Sequence, residues 1–320
     1  MLLLLVLALP AAATAENVHL AVIVGLEGEP EHGELFRRWA NTLVDSAPKL
    51  GVARERITFL ADMDAKSVTG KPTREEIERA FERLAGQAVE DDIVMVVLIG
   101  HGTFDGRAAK FNLRGRDMGP ADFAPLLKKI KAKQIVFVNT ASASGPFVEA
   151  LAGSGRTIVT ATRSGAEQFS TLFGGHFIDA LVGLAADADK NKRVSILEAF
   201  NAAKREVATA YQREGIMLTE HALLDDSGDG KGTLEPAADA ADGRIAAILS
   251  LGSAADAAPL PDDPRLRQLY TERRELEKRV ETLKMLKTGM DPARYATELE
   301  KLLTNLALKT HEIRGIEGKK

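Results

Sequence analysis

The chain has 320 residues, no cysteine, and a formal net charge of -4 with both signs interspersed. That length buries a full core and fits one large domain plus an appendage, and the charge gives no electrostatic footing for a nucleic-acid partner. The missing thiols exclude disulfides, thiolate metal sites and a thiol nucleophile together.

Met1 to Pro10 is a nearly continuous apolar run, and Ala13, Thr14 and Ala15 supply small residues where a signal peptidase cuts. No Lys or Arg precedes the run, which is too short to span a bilayer. Residues 1–15 therefore read as a signal peptide. The mature chain is expected to be exported to the periplasm or cell envelope, without a stable membrane span.

Val18 to Leu26 is β-branched and aliphatic and suits a buried parallel strand. Leu35, Trp39 and Leu43 follow at helical spacing. Apolar runs recur at Ile57 to Leu60, Ile93 to Ile99, Ile135 to Val138 and Thr157 to Ala161. Helical segments lie between them: Thr73 to Ala85, opened by a Thr73/Glu76 capping box, Ala121 to Ile130, and Phe147 to Ala152. Lys128 to Lys133 reads as the wet end of a helix. Strands alternating with helices predict a mainly parallel sheet covered on both faces. Phe173 to Leu184 and Ile196 to Tyr211 continue as helices, the second opened by Ser195 and Glu198.

Residues 16–213 are thus the expected α/β domain, and residues 214–264 an acidic, Gly/Ala-rich loop and linker region. Beyond it, Leu269, Leu276 and Leu283 are spaced by seven, as are Leu299, Leu306 and Ile313. Asp291 before Pro292 is a helix start. Residues 265–314 are expected to form an antiparallel helical hairpin turning near Thr288 to Met290, with residues 315–320 a disordered tail.

In such a sheet, functional residues gather at the carboxyl ends of the strands. Gly100, His101 and Gly102 follow one central strand, and the small-residue loop Asn139 to Gly145, with Ser142 at its middle, follows the next. A histidine base and a serine nucleophile fit these places, since adjacent strand ends bring groups within hydrogen-bonding reach. Converging N–H groups of Gly102 and Ser142 would form an oxyanion hole. Asp105 is the acidic residue whose loop could carry it to His101.

The arrangement resembles the caspase/legumain-like (clan CD) superfamily of cysteine peptidases, most closely bacterial members related to legumain. The resemblance rests on the apolar strand ending in His101-Gly102 and on Ala141-Ser142-Ala143-Ser144-Gly145 after the next strand, and it covers roughly residues 17 to 211. It implies a three-layer sandwich with no cofactor, the catalytic histidine at His101, and Ser142 in the cysteine's place. It also implies a substrate cleft lined by Thr140, Ala141 and Ser164, with Arg163 and Glu167 either lining a pocket or forming a surface ion pair. Two departures bear on specificity: Thr140 stands where members selecting basic side chains carry an acid, and Gly100 stands where legumain has Asp before its histidine. Two readings of the active face follow. One is a pseudopeptidase that binds a peptide or protein ligand in its cleft; the other is an endopeptidase with Ser142 as nucleophile and His101 as base, because a serine hydroxyl needs an oriented base where a thiol is already partly ionised.

Asp187, Asp189, Asn191, Ser195 and Glu198 follow a calcium-loop spacing, with Lys192 where the turn favours glycine. Asp225, Ser227, Asp229 and Gly230 begin a similar pattern that Pro236 breaks, so a turn or a loop trailing over the active face is expected there. The hairpin could bury its stripes internally, self-associate or recruit a protein partner, which would make the chain a cell-envelope scaffold.

Overall fold

A computed structural model describes residues 17–63, 65–252 and 260–318, and the expected signal peptide lies outside the described residues. The central sheet has the order β2-β1-β3-β6-β7-β8. Its parallel strands are β1 (Val18–Val24), β2 (Ile57–Leu60), β3 (Ile93–Ile99), β6 (Gln134–Asn139) and β7 (Arg156–Thr160). The short β8 (Leu223–Asp225) adds to β7 in the antiparallel sense.

Both faces of the sheet are covered, which is why its strands read as unbroken apolar runs rather than alternating ones. Leu20, Val22 and Val24 enter one core with α1 (Pro30–Ser46), α5 (Phe173–Val182) and α6 (Ile196–Glu214). Ala21 and Ile23 enter the other with α2 (Arg74–Gln87), α3 (Pro120–Lys128) and α4 (Phe147–Leu151). A three-layer α/β sandwich results.

The two expected capping boxes form differently. Ser195 and Glu198 cap each other's backbone at the start of α6. Thr73 accepts the Glu76 N–H, but the Glu76 carboxylate turns to Arg79 at 2.7 Å, so only half of that box forms. A small hairpin of β4 (Gly102–Phe104) and β5 (Ala109–Phe111) follows β3 and was not expected from sequence.

The loop after β8 opens with a turn away from the active face. The Asp225 carboxylate accepts the N–H groups of Gly228 and Gly230 at 2.7 and 2.6 Å, closing a tight turn. That turn sits against Gly153 and Glu149, beside the entry to β7. It therefore lies at the amino ends of the parallel strands, opposite the carboxyl ends where His101 and Ser142 stand.

Helices α7 (Pro264–Met285) and α8 (Pro292–Glu317) form the C-terminal hairpin, each opened by an aspartate whose side chain accepts first-turn N–H groups. Its interior is two small clusters, Leu266, Leu269 and Ile313 near the open end and Val280, Leu283 and Leu302 near the turn. Among the described residues, no helix is long and apolar enough to cross a membrane.

Candidate active site

Strands β3 and β6 are parallel neighbours in register, Leu98 opposite Asn139, so the loops that leave them emerge side by side. Their contact is main chain to side chain. The Ser142 hydroxyl donates to the Gly102 carbonyl at 3.0 Å and accepts the Gly102 N–H at 3.2 Å. The serine is 4% exposed. Only glycine fits at position 102, since a Cβ there would lie 2.1 Å from the Ser142 carbonyl oxygen.

The rest of the loop is stitched to the loop after β7. Ser144 Oγ shares a hydrogen bond with Thr162 Oγ1 at 3.1 Å, and Thr162 Oγ1 accepts the Gly145 N–H at 3.0 Å. Ala143 donates its N–H to the Glu167 carbonyl at 2.7 Å and is held at φ +54°, in the left-handed region that alanine rarely adopts. The Ser-Gly end of the loop motif is thus structural, and the strain sits beside Ser142.

His101 is half-buried and makes no hydrogen bond to Ser142. Its Nε2 lies 3.2 Å from the carbonyl oxygen of Glu27, in the loop between β1 and α1. A carbonyl can only accept, so Nε2 carries the proton, and Nδ1 of the neutral ring is left as the basic nitrogen. Burial, and then the neighbouring His32 imidazole, lower the His101 pKa below the ordinary histidine value against the Glu27 bond, which raises it. The group that fixes the tautomer is a main-chain carbonyl, not an acidic side chain. Asp105 plays no part, because its carboxylate accepts the N–H groups of Arg107 and Ala108 in the β4–β5 turn.

Of the residues expected to line a cleft, Thr140 and Ala141 are buried, and the Thr140 hydroxyl donates to the Leu98 carbonyl at 2.9 Å. Arg163 is exposed and Ser164 half-buried. Glu167 ties the region together. Its carboxylate takes Arg163 Nε at 3.1 Å and His221 Nδ1 at 2.6 Å. Next to His221, the buried Glu220 accepts the N–H groups of Leu172 and Phe173 at 2.8 and 3.1 Å, capping the entry to α5. Glu27, His32, Glu220 and His221 were not singled out from sequence; their roles depend on long-range contacts that no local spacing announces.

The calcium-like loop brings oxygens of Asp187, Asp189 and Glu198 within 4.8 Å of one another. They are engaged by the loop itself. Asp187 accepts the N–H groups of Asn191 and Lys192, Asp189 also accepts from Asn191, and Glu198 accepts from Ala188 and Ser195. Lys192 adopts φ +69° at the place where glycine was expected. A cation there would compete with these donors for the same oxygens.

The model of the Peptidase C13 family matches residues 56–223, more than half of the chain, and spans both His101 and Ser142. No curated protein matches the chain.

Proposed function

The chain belongs to the Peptidase C13 family and has no cysteine, and from this premise we propose that it is a catalytically impaired peptidase homologue whose cleft binds a peptide or protein segment. The apolar run from Met1 to Pro10 and the small residues before Glu16 support its export to the periplasm or cell envelope. One observation carries the loss of activity: both hydrogen bonds of the Ser142 hydroxyl go to the Gly102 main chain. The proton a base must remove is directed at a carbonyl, and the N–H suited to an oxyanion is taken by the hydroxyl oxygen. A thiol in this place would be a stronger nucleophile, since part of it ionises near neutral pH.

The second reading, a slow serine peptidase, draws support from the Glu27 contact, which leaves Nδ1 of His101 free as a base. One comparison separates the two. The mature protein, Ser142→Ala and Ser142→Cys are each tested against a peptide library, with hydrolysis and binding measured separately, with and without calcium. The expected result is binding without hydrolysis in the first two and hydrolysis in the cysteine variant. Hydrolysis by the natural protein that disappears in Ser142→Ala would overturn the proposal.

A further inference from the structure

Glu27, His32 and Phe36 all approach His101 from the segment that joins β1 to the first turns of α1. This segment precedes the residues matched by the family model, which begin at 56. His32 and Phe36 are four apart on α1, so their rings share one face of the helix. The His32 ring meets His101 edge-on with centroids 4.8 Å apart and planes at 83°. Phe36 meets it at 5.0 Å and 69°. His32 and Phe36 themselves stack at 6.0 Å. The imidazole of His101 thus has two ring walls and a carbonyl on Nε2, all from one stretch of chain.

We infer that His32 and Phe36 are positioning residues for His101, holding its ring in the one orientation in which the Glu27 carbonyl sets its neutral tautomer. Phe36 is buried and keeps water from that side of the ring. The Nδ1 atom of His32 is buried without a hydrogen-bond partner. Burial and, second to it, the His32 imidazole lower the pKa of His101.

The other groups around His101 do not supply this control. The Glu27 carboxylate is paired with Arg37 at 2.5 Å, which offsets its charge. From β4, Thr103 turns to Asn112, and Asp105 is committed to its own turn. From the loop after β6 the neighbour is the neutral Ser142. His32 is therefore the one unpaired titratable side chain in ring contact with His101 among the described residues.

The inference rests on His101 being the base of the proposed site, but its test uses the resting full-length protein without peptide. With histidines labelled by 13C and 15N, NMR reads the tautomer and titration midpoint of His101 in the natural protein, His32→Gln and Phe36→Ala. The natural protein should hold the single Nε2–H tautomer and titrate below free histidine. His32→Gln should move the midpoint upward, and Phe36→Ala should move it upward and populate the second tautomer. His32 is half-exposed, so His32→Gln keeps the test informative if the core variant Phe36→Ala fails to fold. Mixed tautomers in the natural protein, or an unmoved midpoint and tautomer in His32→Gln, would overturn the inference. Failure of the peptide-binding comparison leaves these NMR outcomes intact, so the two ideas fall separately.

Discussion

Ala143 spends conformational energy where most buried alanines spend none. Its φ of +54° places Cβ close to the following carbonyl, a conformation that costs about 1–2 kcal/mol for residues other than glycine. The Glu167 carbonyl fixes it there by accepting its N–H. Ala143→Gly should therefore raise stability by up to about 1 kcal/mol, despite the greater freedom glycine adds to the unfolded chain. Urea denaturation checks this; a loss of stability, as expected for glycine in ordinary backbone, would show that the strain is absent. At this scale the sequence was informative where chemistry resides in side chains, as at His101 and Ser142. It was silent about Glu27, because a carbonyl that fixes a tautomer has no residue-type signature.

Helix α5 begins on a carboxylate that comes from far along the chain. Glu220 caps it, and burial raises the Glu220 carboxyl above its ordinary value of 4.5. The folded state then holds this proton to higher pH than the unfolded chain does. Its contribution to stability is greatest below the unfolded pKa and declines as pH rises through the raised folded one. Glu220→Gln cannot ionise and keeps a carbonyl oxygen for the α5 donors. Its stability relative to the natural protein should improve between about pH 4 and pH 7, measured by denaturation at both. An unchanged difference across that range would refute the raised pKa. Elements of this length and burial also explain what could be read in advance. The central strands β1, β3, β6 and β7 announced themselves as apolar runs, because burial on both faces demands it. The three-residue strands β4, β5 and β8 did not, since Gly102–Phe104 or Leu223–Asp225 is too short for a pattern and depends on its partner strand.

The molecule joins two cores of unequal size. The α/β sandwich has a deep apolar layer on each face of its sheet, whereas the hairpin of α7 and α8 rests on a few residues between two helices. An ion pair between Arg193 and Glu277 at 3.9 Å links the hairpin to the loop before α6, and a pair of that kind contributes little. Leu283→Ala should therefore destabilise the hairpin by about 2 kcal/mol, the low end for a leucine in so thin a core. Hydrogen exchange should show faster opening in α7 and α8 with β3 and β6 unchanged. Faster exchange throughout would show that hairpin and sandwich unfold as one unit.

The position of β1 has a consequence for how the chain reaches this state. It is the first strand among the described residues, yet it lies inside the sheet between β2 and β3, with Val18 opposite Ile93. No local hairpin can hold it while it waits, and its longer pairing forms only after β3 has been made. Closing so large a loop is slow, and the nascent amino-terminal half exposes unpaired apolar strand meanwhile. The fold is thus delayed by its own topology, a window in which a chaperone would still meet an extended chain.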